Sequence, residues 1–202
     1  MKKILLIVFA FTLIITTGVY SFNSSRELSG NYEGILQSTI ALNPDSMVKR
    51  GKYLVTIMGC NDCHSPIVMS PQGPAYDTSR LLSGHPQYYQ LPPANDINEY
   101  VLFSSTGTAM TGPWGTSFAA NITSDETGIG NWTEEQFFKA IREGKFKGLD
   151  NTRTMMPPMP WPSYSKASDE DLRSIFAYLK STTPVYNVVP SYIPPAQEAI
   201  ID

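Results

Sequence analysis

The most regular pattern of apolar and polar positions lies near the carboxyl end of the chain, over residues 168–181. The apolar positions there follow the i, i+3, i+4, i+7 spacing of an amphipathic helix, namely Leu172, Ile175, Phe176 and Leu179. Ser168 is a good N-cap, and the three acidic residues that follow it interact favourably with the helix dipole. The pattern therefore predicts a helix that begins at Ser168 and ends before Pro184.

A second helix is predicted over residues 131–145, NWTEEQFFKAIREGK. Thr133 and Gln136 have the spacing of a capping box, in which each side chain bonds to the other residue's backbone N–H. Phe137 and Ile141 lie on one face, and Gly144 marks the end of the helix. This segment therefore carries its own start and stop signals.

An earlier helix is predicted over residues 45–59, DSMVKRGKYLVTIMG, with Asp45 or Ser46 as its cap. One face carries Gly51 together with three apolar residues, Met47, Leu54 and Met58. A glycine inside a helix costs about 1 kcal/mol relative to alanine, so its position indicates that another helix approaches closely there. The helix leads directly to Cys60.

Residues 65–131 show no sustained helical period and contain seven prolines and seven glycines. Two short stretches, 100–105 (YVLFSS) and 116–123 (TSFAANIT), have the β-branched and aromatic content of strands. We predict that they pair across the glycine-rich turn of residues 107–115 as a short β-hairpin. A loop-rich insertion of this length is rarely structureless in a compact domain, so we expect it to wrap around something.

The patterns at the two ends divide the chain into segments. Residues 1–21 begin with two lysines and continue with an apolar stretch from Ile4 to Val19, which is typical of a secretory signal peptide cleaved after Ser21. The alternative is an uncleaved membrane anchor, although 16 apolar residues are just short of a comfortable span. Residues 22–43 are predicted to form a linker, residues 44–184 one domain, and residues 185–202 a Pro-rich strap. We therefore expect a periplasmic or otherwise exported protein, associated with a membrane only if the leader is retained.

Charge excludes one class of partner. The 202 residues contain 15 basic and 18 acidic side chains, and removal of the leader with Lys2 and Lys3 leaves 13 basic residues against 18 acidic ones. No segment has the dense Lys/Arg clustering that binding to a phosphate backbone requires. Nucleic acid is therefore not an expected partner.

The candidate chemistry lies in residues 58–69, MGCNDCHSPIVM, which contain both cysteines of the chain, Cys60 and Cys63, followed at once by His64. Three interpretations compete: a redox dithiol, half of a zinc site, or an attachment site for c-type haem. A thioredoxin-like dithiol needs a βαβ setting, which the pattern lacks, and zinc needs further ligands, of which only His85 remains. The spacing C-x-x-C-H is the haem attachment signature, with the histidine placed to reach the iron. The motif occurs once, so one covalently bound haem c is predicted.

A second axial ligand is expected from residues 154–164, TMMPPMPWPSY, which hold Met155, Met156 and Met159 between two predicted helices. The proline-rich frame around Met159 fixes the backbone direction, which suits the presentation of a weak thioether ligand. Histidine with methionine is a ligand pair of electron-carrying cytochromes. Methionines also serve as adaptable core filler, which we expect for Met155. His85 as the second ligand would give a bis-histidine haem, but a packed or hydrogen-bonded turn residue is the favoured interpretation.

Several segments together resemble the class I c-type cytochromes, and more narrowly the cytochrome c domains of bacterial alcohol and gluconate dehydrogenase cytochrome subunits and their single-haem relatives. The resemblance covers most of residues 49–189 through RGKYLVTIMGCNDCHSP, RLLSGHP, GPWGTSFAANITSDETGIGNWTEEQF, MPPMPWPSY and DEDLRSIFAYLKS. It implies a mainly α fold in which the first and last helices cross around one covalent haem, with Gly51 facing the aromatic residues of IFAYL. It also implies that His64 and Met159 are the axial ligands of the iron. Many of those subunits carry two or three haem motifs, and this chain departs from them with one.

The resemblance implies further contacts at the rim of the haem, from Asn121, Ile122 and Trp132. The indole N–H of Trp132 would donate to a propionate, and Arg80 would pair with a propionate. The structural alternatives are a turn asparagine, a core tryptophan and a solvated arginine. We also predict that a backbone carbonyl near Pro71 or Pro74 orients the second ring nitrogen of His64, because ligating histidines usually have such a partner.

These features predict an electron-transfer protein of the respiratory chain and not an enzyme. With both axial positions filled, the iron would exchange electrons with redox partners such as a dehydrogenase subunit or a terminal oxidase. Four basic residues that precede the methionine segment could form a docking face: Arg142, Lys145, Lys147 and Arg153. The alternative is a haem enzyme or sensor, peroxidase-like or gas-binding, with an open sixth position and His85 as its distal acid–base group. A third interpretation is an electron-transfer subunit of a larger dehydrogenase.

Overall fold

The computed structural model describes residues 43–92 and 100–195. The predicted signal segment, the linker up to residue 42 and the end of the strap from residue 196 lie outside the described residues. Within the described ranges, no helix combines the length and the apolar character that crossing a membrane requires.

Five α-helices and two small antiparallel sheets make up the regular structure of the described ranges. The helices are α1 (Pro44–Ile57), α2 (Cys60–His64), α3 (Glu134–Glu143), α4 (Trp161–Tyr164) and α5 (Asp169–Lys180), with a 3₁₀ turn at Phe146–Gly148. The strands are β1 (Ile67–Ser70), β2 (Gly73–Tyr76), β3 (Leu102–Phe103), β4 (Ala109–Gly112) and β5 (Gly115–Phe118). The expectation of a largely helical domain with a loop-rich insertion between α2 and α3 agrees with this arrangement.

Helices α1 and α5 pack against each other at Gly51. A Cβ atom built on this glycine would lie 1.9 Å from the carbonyl oxygen of Ser174 and 2.6 Å from the Cβ of Tyr178. The missing side chain therefore sets how closely the two helices approach. Their contact forms the centre of the core, a cluster of buried apolar side chains drawn from α1, α3, α5 and the loops: Leu54, Val55, Leu82, Ile129, Phe137, Leu172, Ile175 and Leu179.

The predicted caps of α3 and α5 are confirmed. Thr133 accepts a hydrogen bond from the backbone N–H of Gln136, and α3 ends at Gly144, as predicted. The side-chain amide of Gln136, which a capping box would direct back to the N–H of Thr133, is directed to the 3₁₀ turn, where its Nε2 donates to the carbonyl of Lys147 at 2.8 Å. Ser168 caps α5 by accepting from the N–H of Asp171.

The predicted β-hairpin is wrong in its pairing. Residues 107–115, which the pattern assigns to a turn, contain β4, and this strand lies between β3 and β5 with antiparallel pairing on both sides. The second predicted strand ends at Phe118 and does not continue to residue 123. A further hairpin, β1–β2, forms directly after α2, where the sequence pattern predicted no strand. Pro74 is tolerated because β2 has a single partner strand.

The described part of the strap, residues 185–195, crosses several loops through hydrogen bonds. The side chain of Asn187 donates to the carbonyls of Ser83 and His85 at 2.7 and 2.9 Å. Further along, Ile193 and Thr116 exchange two backbone hydrogen bonds, so the strap extends the edge of β5. The strap thereby joins the turn around His85 to the three-stranded sheet.

Candidate functional site

Helix α2 places the two cysteines and the histidine within little more than one turn. Gly59, in a left-handed conformation, joins α1 to α2, and Cys60 is the first residue of the new helix. Both cysteines are half-buried free thiols, and Cys60 packs against the core. The core therefore fixes the start of the motif, and the helical turn fixes the spacing of the two sulfur atoms.

The surroundings of the two thiols favour their protonated forms. Burial raises the pKa of Cys60 to about 11, and the carboxylate of Asp62 adds to this effect. Burial, with Asp62 again, raises the pKa of Cys63. A redox dithiol needs a lowered thiol pKa, so this environment does not favour that interpretation. In the described ranges, no group of three or more His, Cys, Asp or Glu side chains is placed to hold a metal ion.

The ring of His64 is held in one orientation. Its Nδ1 lies 2.7 Å from the carbonyl oxygen of Ala120. Because a carbonyl can only accept, Nδ1 carries the proton and Nε2 carries the lone pair that an iron ion requires. Burial lowers the pKa of His64, which keeps the ring neutral. The prediction that a carbonyl near Pro71 or Pro74 has this role is wrong, because both prolines belong to the β1–β2 hairpin while Ala120 supplies the acceptor.

The turn of residues 83–86 connects His64 to the segment that carries this carbonyl. The N–H of Gly84 donates to the carbonyl of His64 at 2.8 Å, and the N–H of His85 donates to the carbonyl of Ala119 at 2.9 Å. A Cβ on Gly84 would lie 2.4 Å from Ala119 O and 2.6 Å from Ala120 O. The turn therefore positions the backbone that orients the histidine.

His85 itself is completely buried. Its Nε2 lies 3.4 Å from the carbonyl of Tyr89 and must carry the proton, so its Nδ1 accepts from the hydroxyl of Thr108 at 2.9 Å. The ring also packs at 4.9 Å from the ring of Phe118, and burial lowers the pKa of His85. Both ring nitrogens bond to the protein, which favours a packed turn residue over an iron ligand.

The methionine loop, residues 155–160, is held by hydrogen bonds to the segments that flank and orient His64. The hydroxyl of Ser117, in β5, donates to the carbonyl of Pro157 at 2.6 Å, and Met159 is half-buried. In α4, which follows the loop, the hydroxyl of Tyr164 donates to the carbonyl of Met58 at 2.5 Å, just before α2. Residues 117–120 therefore hold the methionine loop at one end and His64 at the other.

The predicted rim residues all have partners within the protein. Arg80 pairs with Asp77 at 2.7 Å. Asn121 donates to the carbonyl of Val185 at 2.8 Å and accepts from the N–H of Thr123 at 3.0 Å. The other two pack against the core cluster: Ile122 and Trp132. The fold alone accounts for each of these positions, and their contact with a haem stays a prediction.

Sequence reasoning missed several residues that support α2. Besides Ala120 and Tyr164, the hydroxyl of Tyr76 donates to the carboxylate of Asp62, between the cysteines, at 2.5 Å. This hydrogen bond raises the pKa of Tyr76 to about 12. No local pattern could have revealed these partners, because each contact joins positions far apart in the chain and two of them use backbone carbonyls.

The donor set fits a covalently attached haem. Two thiols lie one helical turn apart, an imidazole with an oriented Nδ1 follows immediately, and a separate loop carries thioethers. Thiols add to the vinyl groups of the porphyrin, and imidazole and thioether are ligands for its iron.

Comparison with known proteins shows which proteins the chain is similar to. No protein-family model matches the chain. Over 135 residues, or 66% of this chain, it is 35% identical to the gluconate 2-dehydrogenase cytochrome c subunit of Pantoea cypripedii. Over 135 residues it is also 30% identical to the cytochrome c subunit of the quinone alcohol dehydrogenase of Gluconobacter oxydans. The chain is a homologue of these cytochrome c subunits.

A third homologue is the fructose dehydrogenase cytochrome subunit of Gluconobacter japonicus, which is 40% identical over 79 residues, or 38% of this chain. The predicted resemblance to dehydrogenase cytochrome c domains is thereby confirmed. The aligned region covers 23% of the gluconate dehydrogenase subunit and 21% of the alcohol dehydrogenase subunit, so the chain spans less than a quarter of these relatives.

Proposed function

We propose that this chain is an exported electron-transfer cytochrome that carries one haem c, attached through Cys60 and Cys63. The single observation that carries the proposal is α2, in which two thiols and an oriented, neutral His64 follow one another with the attachment spacing. The homology to cytochrome c subunits of dehydrogenases supports it. The proposal includes the crossed-helix cytochrome c fold for residues 44–184, which the close contact at Gly51 supports.

When bound, the haem supplies an iron that alternates between the ferrous and ferric states. The residues around the iron would set the orientation and the protonation of its histidine ligand. The Ala120 carbonyl holds the proton of His64 on Nδ1 and so directs Nε2 at the metal. Burial lowers the pKa of His64, so that a proton would not compete with the iron for Nε2.

Met159 is proposed as the second axial ligand. Its loop is held by the bond from Ser117 to Pro157 and by the bond from Tyr164 to Met58, which returns the chain to the start of α2. A thioether ligand favours the reduced state and therefore a fairly high potential. If His64 and Met159 both hold the iron, no position on it would remain open to a substrate. Arg80, Asn121, Ile122 and Trp132 remain candidates for the haem rim.

We further propose that the partners are redox proteins, such as a dehydrogenase subunit that delivers electrons or a terminal oxidase that accepts them. The homologues support a dehydrogenase partner, since each is a cytochrome subunit of a dehydrogenase. The pattern of residues 1–21 supports a periplasmic or exported location.

The test is the absorption spectrum of the purified, haem-loaded chain, with Met155→Ala as the matched control for Met159→Ala. A pyridine haemochrome assay should give one haem per chain, and Cys60→Ser with Cys63→Ser should abolish covalent attachment. The oxidised protein should show the weak far-red methionine-to-iron band, which Met159→Ala removes and Met155→Ala keeps. A high-spin spectrum that changes on addition of carbon monoxide or peroxide would contradict the closed site and favour the haem enzyme or sensor.

A further inference from the structure

The segment between α3 and the methionine loop forms a hairpin-like loop, residues 145–154, which we call the basic loop. Its ends are joined by the antiparallel bridge between Lys145 and Thr154 and by the hydrogen bond from Phe146 N to Arg153 O at 2.9 Å. The next residue, Met155, donates its N–H to the carbonyl of Gly144 at 2.7 Å. The basic loop therefore has a defined shape and leads directly to the methionines.

Charge on the basic loop is opposite to that of the chain as a whole. The loop contains three basic residues and one acidic residue, whereas the chain has a formal net charge of −3. The acidic residue, Asp150, forms an ion pair with Lys139 of α3 and not with a basic residue of the loop itself. Arg142, which the sequence grouped with these residues, belongs elsewhere, because its guanidinium donates to Ser165 O and pairs with Asp169. The remaining cations are Lys145, Lys147 and Arg153.

Arg153 lies between two aromatic rings. Its guanidinium carbon is 4.0 Å from the ring centroid of Phe146 and 5.5 Å from that of Tyr192, in the strap. The hydroxyl of Tyr192 donates to the carbonyl of Trp114, so the strap, the sheet and the basic loop meet at this arginine. Arginine, tyrosine and tryptophan are the residue types enriched at the energetic centres of protein interfaces.

Lys147 is exposed and has a left-handed backbone, with φ of 57°. For a residue other than glycine this conformation costs about 1–2 kcal/mol. The hydrogen bond from Gln136 Nε2 to Lys147 O holds it in place. A strained lysine that is kept on the surface indicates a functional constraint, since backbone strain tends to be retained at functional sites.

We propose that the basic loop is the docking surface for an acidic patch on the redox partner protein. This inference rests on the proposed electron-transfer function and adds the place and the charge of the partner. The negative charge of the remaining chain repels an acidic partner, while the three cations attract it and orient it toward the methionine loop. The basic loop leads directly into the segment that carries Met159, the proposed iron ligand, so docking there would bring the partner to the part of the chain that would hold the iron.

The test measures oxidation of the reduced, haem-loaded protein by two small oxidants in a stopped-flow instrument. One electron passes from the protein to each oxidant, which turns anionic hexacyanoferrate(III) into hexacyanoferrate(II) and cationic tris(phenanthroline)cobalt(III) into the cobalt(II) complex. At an ionic strength of about 10 mM, Lys147→Glu should slow the anionic reaction about tenfold and accelerate the cationic one. Lys147→Asn should slow the anionic reaction about threefold, and asparagine tolerates the left-handed backbone.

The matched control is Lys49→Glu, which makes the same change in net charge at an exposed position early in α1. It should change either rate by less than about twofold. A second readout is binding of poly-L-glutamate as an acidic polypeptide, which Lys147→Glu and Arg153→Gln should weaken and Lys49→Glu should not.

Several outcomes would overturn the proposal. Equal effects of Lys147→Glu and Lys49→Glu would show a response to net charge and not a docking surface. Binding to phosphatidylglycerol vesicles that depends on Lys147, without binding to poly-L-glutamate, would assign the loop to a membrane surface. A chain that binds no haem would fail in the absorption spectrum before any rate is measured, which separates failure of the proposed function from failure of the docking surface.

Discussion

Replacement of Gly51 by alanine should separate the two helices that form the core. The added Cβ would lie 1.9 Å from Ser174 O and 2.6 Å from Tyr178 Cβ, whereas ordinary van der Waals contact begins at 3.4 Å. Ser174 O is a backbone atom and Tyr178 Cβ is the first atom of its side chain, so neither atom can move away by rotation of a side chain. Helix α1 would have to move from α5 by about 1.5 Å, because a close-packed interior has no free space to absorb the methyl group.

The size of the effect follows from two opposing contributions. Alanine in place of glycine inside a helix gains about 1 kcal/mol from propensity. Overpacking of a tight core costs about 1–3 kcal/mol, and the separation also loosens the contacts of Leu54 and Val55 with the α5 side chains, where buried large side chains are worth roughly 1.5–3 kcal/mol each. We therefore expect Gly51→Ala to lower the free energy of unfolding by about 2–3 kcal/mol.

Urea unfolding of the haem-loaded protein, followed by far-ultraviolet circular dichroism, would measure this change. Lys52→Ala is the matched control, since it places alanine at the next, exposed position of the same helix. It should change the unfolding free energy by less than about 0.5 kcal/mol. If Gly51→Ala is as stable as the parent protein or more stable, α1 and α5 do not approach at this residue and the reasoning is refuted.

Three further predictions concern the site and its supports. Gly84→Ala should lower the unfolding free energy by about 2 kcal/mol more than Gly73→Ala in urea titrations, because both glycines have positive φ but only Gly84 is crowded. The new Cβ would also displace the Ala120 carbonyl and weaken its hydrogen bond from His64 Nδ1, so a redox titration should show a raised reduction potential. Burial lowers the pKa of His85, so below about pH 6.5 the unfolded chain binds more protons than the folded chain does. The free energy of unfolding should therefore fall as the pH falls through this range, and His85→Gln should flatten its dependence on pH. Ser168→Ala should cost about 1 kcal/mol of stability in thermal unfolding, because α5 loses its N-cap, while Ser168→Asp should restore it.

The helices could be predicted because their signals are local. The boundaries of α3 and α5 follow from Thr133, Gly144 and Ser168, whose side chains or backbone act on residues within one turn. The role of Gly51 as a contact point could be predicted because an unfavourable residue inside a helix requires a compensating reason. The attachment motif could be recognised from the sequence because Cys60, Cys63 and His64 lie within five positions of one another.

The β structure and the second layer of the site could not be predicted in this way. Strand β4 lies in a segment rich in glycine, and its identity depends on pairing with β3 and β5 on both sides, which no single segment encodes. The carbonyl of Ala120 orients His64 across 56 positions, and any residue type could supply that carbonyl. Gln136 has the spacing of a capping box, yet its side-chain amide donates to Lys147 O, which only the fold brings within reach.

The sequence by itself therefore determined the helices, the caps of α3 and α5 and the close contact at Gly51, and it predicted the haem site at Cys60, Cys63 and His64, because each depends on residue types at short spacing. The cap predicted for α1 at Asp45 or Ser46 is wrong, since that helix begins at Pro44. The tertiary structure alone decided which carbonyl orients the histidine. It also decided which basic residues remain for a partner, since Arg142 forms an ion pair with Asp169 while Arg153 lies against the rings of Phe146 and Tyr192. Those contacts join segments that are distant along the chain, and their partners are backbone atoms or side chains of common type. Only packing brings them together.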